Sequence, residues 1–284
     1  MEKTEKKEKQ RNDKGKQDMN ENIERKKGEK KMSKMGYGYG SEFHLLRWMG
    51  RHRDALNGIV EPVLGLSDVH WLDFKFEPGN CIPDAELEGL ADILKDDPRE
   101  REKREVLEAF EREWPQHGTL MNWDAVAVGK DADGELVYVL CEAKAHLEEV
   151  EKDHDPGDSP SVPQREEAFR LAKGKIGADA AADWMHTFYQ MANRLYAMAV
   201  MNAHGIPAKL LNIYFCGDVG RNGWECPRDA GKWKELVAEE YRTLGVDASN
   251  WFVSEHVKNV FLPVCPENGE QAVEWNRLRN AGEA

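Results

Sequence analysis

NWDAVAVGKDADGELVYVLCEAK, residues 122–144, holds two apolar runs separated by a polar turn signal. Asp133-Gly134 at the tip of KDADGE favours a tight reversal, so the two runs are expected to pair as a β-hairpin. Both runs are apolar at successive positions, as strands covered on both faces are. The second run, Val137-Tyr138-Val139-Leu140-Cys141, continues directly into Glu142, Ala143 and Lys144. Two opposite charges on what should be a buried strand are costly to place and need a reason.

Strand alternation puts Glu142 and Lys144 on one face and Ala143 on the other. If the turn centres near Ala132–Asp133, paired positions sum to about 265. Asp124, the one acid in the first run, then falls opposite Cys141 or Glu142. Two carboxylates and an ammonium converge at one end of a buried sheet. Carboxylates crowded in a low dielectric repel and raise one another's pKa. A hard divalent cation removes that repulsion, and Mg²⁺ takes one or two carboxylates together with waters and phosphate oxygens. A lysine beside such a metal can position or deprotonate a water and offset charge developing on phosphate.

The flanking sequence supplies the rest of a mixed fold. In SEFHLLRWMGRHRDALNG, Ser41 is a good N-cap and Gly58 a good stop, predicting a helix from Glu42 to Asn57. Leu45, Met49, His52 and Leu56 form its apolar stripe, and Glu42 falls on the same stripe. Such a carboxylate needs a partner or a metal, unless it is an ordinary first-turn acid favoured by the helix dipole. VHWLDFKF (69–76) reads as a strand and 98–114 as a charged helix. A long helix is expected over 178–205, with Trp184, Phe188, Met191, Leu195 and Met198 as its core stripe. AKLLNIYFCGD (208–218) is a second buried strand, 229–245 a further helix, and VKNVFLPV (257–264) a last strand. The polar segment 151–180 is expected to be a surface excursion. Elements of both kinds without repeats indicate one α/β domain over 36–284.

Residues 1–35 are nearly devoid of apolar side chains and are expected to be a disordered Lys/Glu-rich tail. Residues 1–34 carry a net charge of +5, leaving −18 on the remainder of a chain whose total is −13. That acidity argues against non-specific coating of nucleic acid, though not against a local basic groove. Five widely spaced cysteines without a CxxC pair argue against a disulfide framework and for a reducing, cytoplasmic setting. No apolar run reaches the roughly 18–20 residues of a membrane span.

Asp124 with Glu142-Ala143-Lys144 resembles the metal-binding pattern of the PD-(D/E)xK nucleases, the restriction-endonuclease-like superfamily. Trp123 stands where proline is common. The order helix, strands, hairpin, helix, strand over most of residues 40–218 is similar to that superfamily's αβββαβ core. The resemblance implies a central mixed sheet flanked by helices and a Mg²⁺-dependent nuclease, with Mn²⁺ as a substitute ion. It also implies that Asp124 and Glu142 ligate the metal, Ala143 lends its carbonyl, and Lys144 serves the attacking water. Glu42 matches a first-helix acid that some members use, and Gln190 resembles a helix glutamine placed near the metal.

Other candidates are open between site and solvent. Tyr189, Asn193 and Arg194 share the ambiguity of Gln190. His146 stays on the Lys144 face if the strand continues, and would touch phosphate or pack on its neighbours. His117, ahead of the first hairpin strand, either shapes the rim or lies in a plain turn. Arg47, Arg51, Arg53, Lys173 and Lys175 are candidates for nucleic-acid backbone contacts. The implied partner is nucleic acid, DNA by the superfamily's habit, with a homodimer or a delivering protein as further possibilities. The alternative is a nuclease-like fold kept as a nucleic-acid- or protein-binding module. That reading predicts an eroded site, whereas Asp124, Glu142 and Lys144 are all present. The motifs of phosphate-binding loops, dinucleotide folds, zinc proteases and serine hydrolases are absent from the sequence.

Overall fold

The β-hairpin forms as the alternation requires. Strands β4 (Ala125–Lys130) and β5 (Leu136–Lys144) pair antiparallel, with Ala125 opposite Cys141 and Val128 opposite Tyr138. Asp131 closes the turn: its Oδ1 accepts from the amides of Asp133 (3.0 Å) and Glu135 (2.9 Å). Gly134 takes the left-handed conformation, φ 82°, that a side chain would strain.

The computed structural model describes residues 39–72, 87–116, 120–150, 152–219, 223–247 and 249–276. The expected N-terminal tail, the second half of the 69–76 strand, His117 and Cys81 lie outside these residues. Chain order is α1 (Ser41–Arg51), α2 (Arg53–Leu64), β1 (Ser67–Leu72), β2 (Leu87–Glu88), α3 (Ala91–Leu94), α4 (Glu100–Glu113) and β3 (Asn122–Trp123), then the hairpin. After it come α5 (Val162–Ile176), α6 (Tyr189–Ala203), β6 (Ala208–Cys216), α7 (Ala230–Thr243), α8 (Trp251–His256), β7 (Val257–Pro263) and α9 (Gly269–Asn276).

Five strands form one mixed sheet in the order β1-β4-β5-β6-β7, and β2 pairs with β3 apart from it. β1, β4 and β5 run antiparallel, whereas β5, β6 and β7 run parallel. Helices cover both faces. Leu45, Trp48 and Val60 of α1 and α2 pack on Cys141, Ala143 and Ile213. On the opposite face Tyr138, Leu140 and Leu210 meet Leu195 and Met198 of α6, together with α4, α5 and α7. β5 therefore lies at the centre, apolar on both sides, and its C-terminal end carries the charges.

Three expectations are corrected. The first helix breaks at His52, because the Arg53 side chain donates from Nε to the Met49 carbonyl (2.8 Å) and takes the acceptor its own amide would use. The chain then stays helical through Gly58 to Leu64, since burial of Ile59, Val60 and Leu64 outweighs glycine's cost of about 1 kcal/mol. The surface excursion expected over 151–180 contains α5, whose Ala168, Phe169, Ala172 and Ile176 are buried. The helix expected from 178 begins only at Tyr189. Asp183 Oδ1 accepts from the amides of Met185 and His186, both at 3.0 Å, and Phe188 N–H donates to the Lys152 carbonyl, so this backbone is satisfied outside a helix.

Candidate functional site

Just beyond the last hairpin ladder pair, Ala125–Cys141, come Asp124 on one strand and Glu142 on the other. Asp124 sits at a bend between β3 and β4 and is half-buried. Its Oδ2 accepts from the Ala143 amide at 2.7 Å, pinning the two strand ends together. Glu142 follows Tyr138 and Leu140 onto the α6 face and is 6% exposed.

Glu142 is met there by two cations. Lys144 Nζ donates to Oε1 at 2.6 Å. Arg194, from α6, donates to Oε2 from Nη2 (2.8 Å) and Nε (3.1 Å). Arg194 is 3% exposed, lies with its guanidinium 4.7 Å from the centre of the Trp123 ring, and holds Asn193 Oδ1 at 2.6 Å through Nη1. Burial alone would push the Glu142 carboxyl up, but the charges and hydrogen bonds of Arg194 and Lys144 hold it below its ordinary value. Lys144 behaves conversely: burial would lower it, and the attraction of Glu142, then of Asp124 and Glu149, raises it.

A third carboxyl was not anticipated. Glu240 of α7 is 5% exposed and lines the same cavity as Glu142, Lys144 and Arg194. Burial pushes it up to about 8, against the pull of Lys144 and with the repulsion of Glu142. Burial therefore favours its neutral acid. Asn212 and Tyr214 of β6 complete that wall. The helical spacing from Trp233, Leu236 and Val237 was the one signal that could have marked Glu240 as buried. Its register on α7 puts it inside, with Trp233, Leu236 and Val237.

The sequence-predicted residues divide. Asp124, Glu142, Ala143 and Lys144 come together, and Gln190, Asn193 and Arg194 join them from the first turns of α6. Gln190 lines both the Glu142 cavity and an adjoining cleft of about 550 Å³. Glu42 does not join: it is exposed, because α1 turns His44, Leu45, Trp48 and Met49 inward instead. His146 leaves the Lys144 face, since β5 ends at Lys144 and the chain bends over 145–146. It is buried between Glu149 Oε1 (2.9 Å from Nδ1) and Asp218 Oδ2 (3.5 Å from Nε2). Asp218 also lies 3.1 Å from His44 Nε2 and accepts from the Gly40 amide at 2.8 Å, tying α1 to the end of β6. Burial lowers the His44 pKa, opposed by Asp218.

Most of the remaining basic candidates are engaged elsewhere. Arg47 holds Glu267 and the Val264 carbonyl, both at 3.2 Å. Arg53 caps Met49, and Arg51 is exposed. Lys173 donates to the carbonyls of Ala180 and Ala182, and Lys175 lies 3.5 Å from Glu113.

Among the described residues no three His, Cys, Asp or Glu side chains group as a metal cage. A Mg²⁺ site asks for less, one or two carboxylates with waters. Oε1 of Glu142 accepts from Lys144 and an oxygen has room for a second partner, so its chemistry suits a hard cation. Among the described residues, no helix is long and apolar enough to cross a membrane. Comparison with protein-family models, curated proteins and solved structures finds no match.

Proposed function

We propose that the protein is a metal-dependent nuclease of the PD-(D/E)xK, restriction-endonuclease-like kind, hydrolysing phosphodiester bonds of nucleic acid, with DNA as the first substrate to test. The observation that carries this reading is the meeting of Asp124, Glu142 and Lys144 at the ends of two adjoining strands, beside a polar cleft. Asp124 and Glu142 would hold Mg²⁺ or Mn²⁺ with the Ala143 carbonyl, and the ion would supply Lewis acidity towards a phosphoryl oxygen. Lys144, already oriented by Glu142, would position the attacking water and offset charge on the phosphate.

Cleavage tests the reading. Single-stranded, duplex and branched DNA and RNA are incubated with Mg²⁺ or Mn²⁺, beside Lys144→Ala and Asp124→Ala. Metal-dependent cleavage lost in both variants is expected, and cleavage that survives both would end the assignment.

One observation favours a second reading, a nuclease-like fold that binds nucleic acid or protein without cutting. Arg194 and Lys144 together balance Glu142 within the chain, as a site without metal would need. Under that reading nucleic acid is retained by the protein and left intact with either ion.

A further inference from the structure

The cleft beside the Glu142 cavity has features that phosphodiester chemistry at Asp124 and Lys144 leaves unused. Its volume, about 550 Å³, is that of a small-molecule pocket. Two guanidinium groups, Arg165 and Arg194, face it. Arg165 donates from Nη1 to Tyr189 Oη at 2.9 Å and lies 5.4 Å from the centre of that ring, while its Nε is buried without a hydrogen-bond partner. The lining also includes the edges of the buried Pro115, Met121 and Trp114, the last with its indole stacked on Tyr196 behind it, and the carboxamide residues Gln190 and Asn193. One carboxylate reaches the rim, Glu149, which is engaged by His146.

Two helix starts add to the cationic character. Ser159, Ser161 and Arg165 bring the first turn of α5 to the cleft, and Tyr189, Gln190 and Asn193 bring that of α6. Both helices have 15 residues, and neither has a side-chain hydrogen bond at its N-cap (Ser161 and Phe188). In α5, however, Pro163 has no N–H and the Val162 amide donates to the Ser159 carbonyl, so the open amides are mainly those at the start of α6. First-turn amides lack intrahelical acceptors, and the helix dipole favours an anion there.

We infer that this cleft binds one unpaired nucleotide of the substrate: phosphate between Arg165 and the α6 start, and base against the apolar edge formed by Trp114, Pro115 and Met121, near Gln190 and Asn193. Apolar and aromatic surface stacks any base, and carboxamides offer both donor and acceptor to a base edge. Arg194 and Gln190 are shared with the Glu142 cavity, so a nucleotide held here places its neighbouring phosphodiester next to Lys144. This inference deepens the proposed function and rests on it for the identity of the ligand. It assigns a preference for single-stranded or locally opened nucleic acid.

Binding is measured without metal and without cleavage, so its failure is separable from failure of the nuclease reading. The full chain in EDTA is titrated calorimetrically with the four deoxynucleoside 5′-monophosphates, with thymidine and with inorganic phosphate. Monophosphates are expected to bind at least about tenfold more tightly than either fragment. Arg165→Ala and Ser161→Asp should each weaken binding by about tenfold or more, and Arg170→Ala, on an exposed pair with Glu167, should not. Ser161→Asp separates binding from folding, because an acid at a helix start supports the helix and repels the ligand. Its melting temperature should therefore hold or rise while affinity falls. The inference is overturned if the monophosphates do not bind, if inorganic phosphate binds as tightly as they do, or if Ser161→Asp binds normally.

Discussion

Arg194 places two nitrogens on one oxygen of Glu142, at 2.8 and 3.1 Å, across 52 residues of chain and with both side chains buried. Removing one partner of such a pair leaves an uncompensated charge, which costs about 3–5 kcal/mol. Arg194→Met should lie at the low end of that range, because Lys144 still neutralises Oε1. The acid limb should move as well. The folded-state pKa of Glu142 is depressed, so its stabilisation is present above the ordinary carboxylate pKa and is lost as pH falls through the folded value. Without Arg194 the folded-state pKa rises towards the ordinary value, so the acid-side loss becomes smaller. Urea unfolding of Arg194→Met, and of Arg194→Met/Glu142→Gln, checks this: the double variant should recover much of the deficit. A single variant as stable as wild type would show that the pair contributes nothing.

A metal held by Asp124 and Glu142 stabilises the folded chain by mass action, about 2.7 kcal/mol at a hundredfold excess over Kd. For a folded unit of this size the melting temperature should rise by roughly 5–10 °C in saturating Mg²⁺ or Mn²⁺. Glu142→Gln should melt at its own temperature and lose most of the metal-dependent rise. Thermal scans with EDTA and with each ion decide the matter. Equal rises in wild type and variant would place the ion elsewhere.

Much of the site's backbone was legible and most of its electrostatics was not. Alternation and the Asp133-Gly134 turn put Asp124 opposite Cys141 or Glu142 and kept Glu142 with Lys144, because hairpin register is a local matter. Arg194 and Glu240 come from helices distant in sequence, and their burial depends on how α6 and α7 rotate against β5 and β6. Only Arg194 drew notice, and its partner was unreadable. Glu42 misled for the complementary reason: the stripe drawn through Leu45 and Met49 omitted His44 and Trp48, which the helix actually buries. α5 was hidden because its buried positions include two alanines among charged residues, and those fit closely against neighbours without a strong apolar signal.

Glu240 predicts a loss of stability on the alkaline side. Its folded-state pKa, about 8, exceeds the ordinary 4.5, so the stabilisation is full below the ordinary value and is lost as pH rises through 8. The window runs from about pH 4.5 to 8, and a shift of this size amounts to several kcal/mol in order of magnitude. Glu240→Gln keeps the shape and cannot ionise. Wild type should therefore lose melting temperature between pH 6 and pH 9 relative to Glu240→Gln. Parallel profiles for the two proteins would mean that Glu240 titrates normally.

Asp218 binds the start of α1 to the end of β6, and its removal should be felt mainly there. Its carboxylate accepts from the Gly40 amide and lies against the buried rings of His44 and His146. Asp218→Ala leaves the part-buried Gly40 amide short of its acceptor and removes the carboxylate facing two buried imidazoles, a cost of about 1–3 kcal/mol. Asp218→Asn retains one carbonyl oxygen and should lose less. Amide hydrogen exchange locates the effect, since local opening is expected to speed exchange in the first turns of α1 more than in β5. Uniform acceleration through β5 would instead make Asp218 part of the global core.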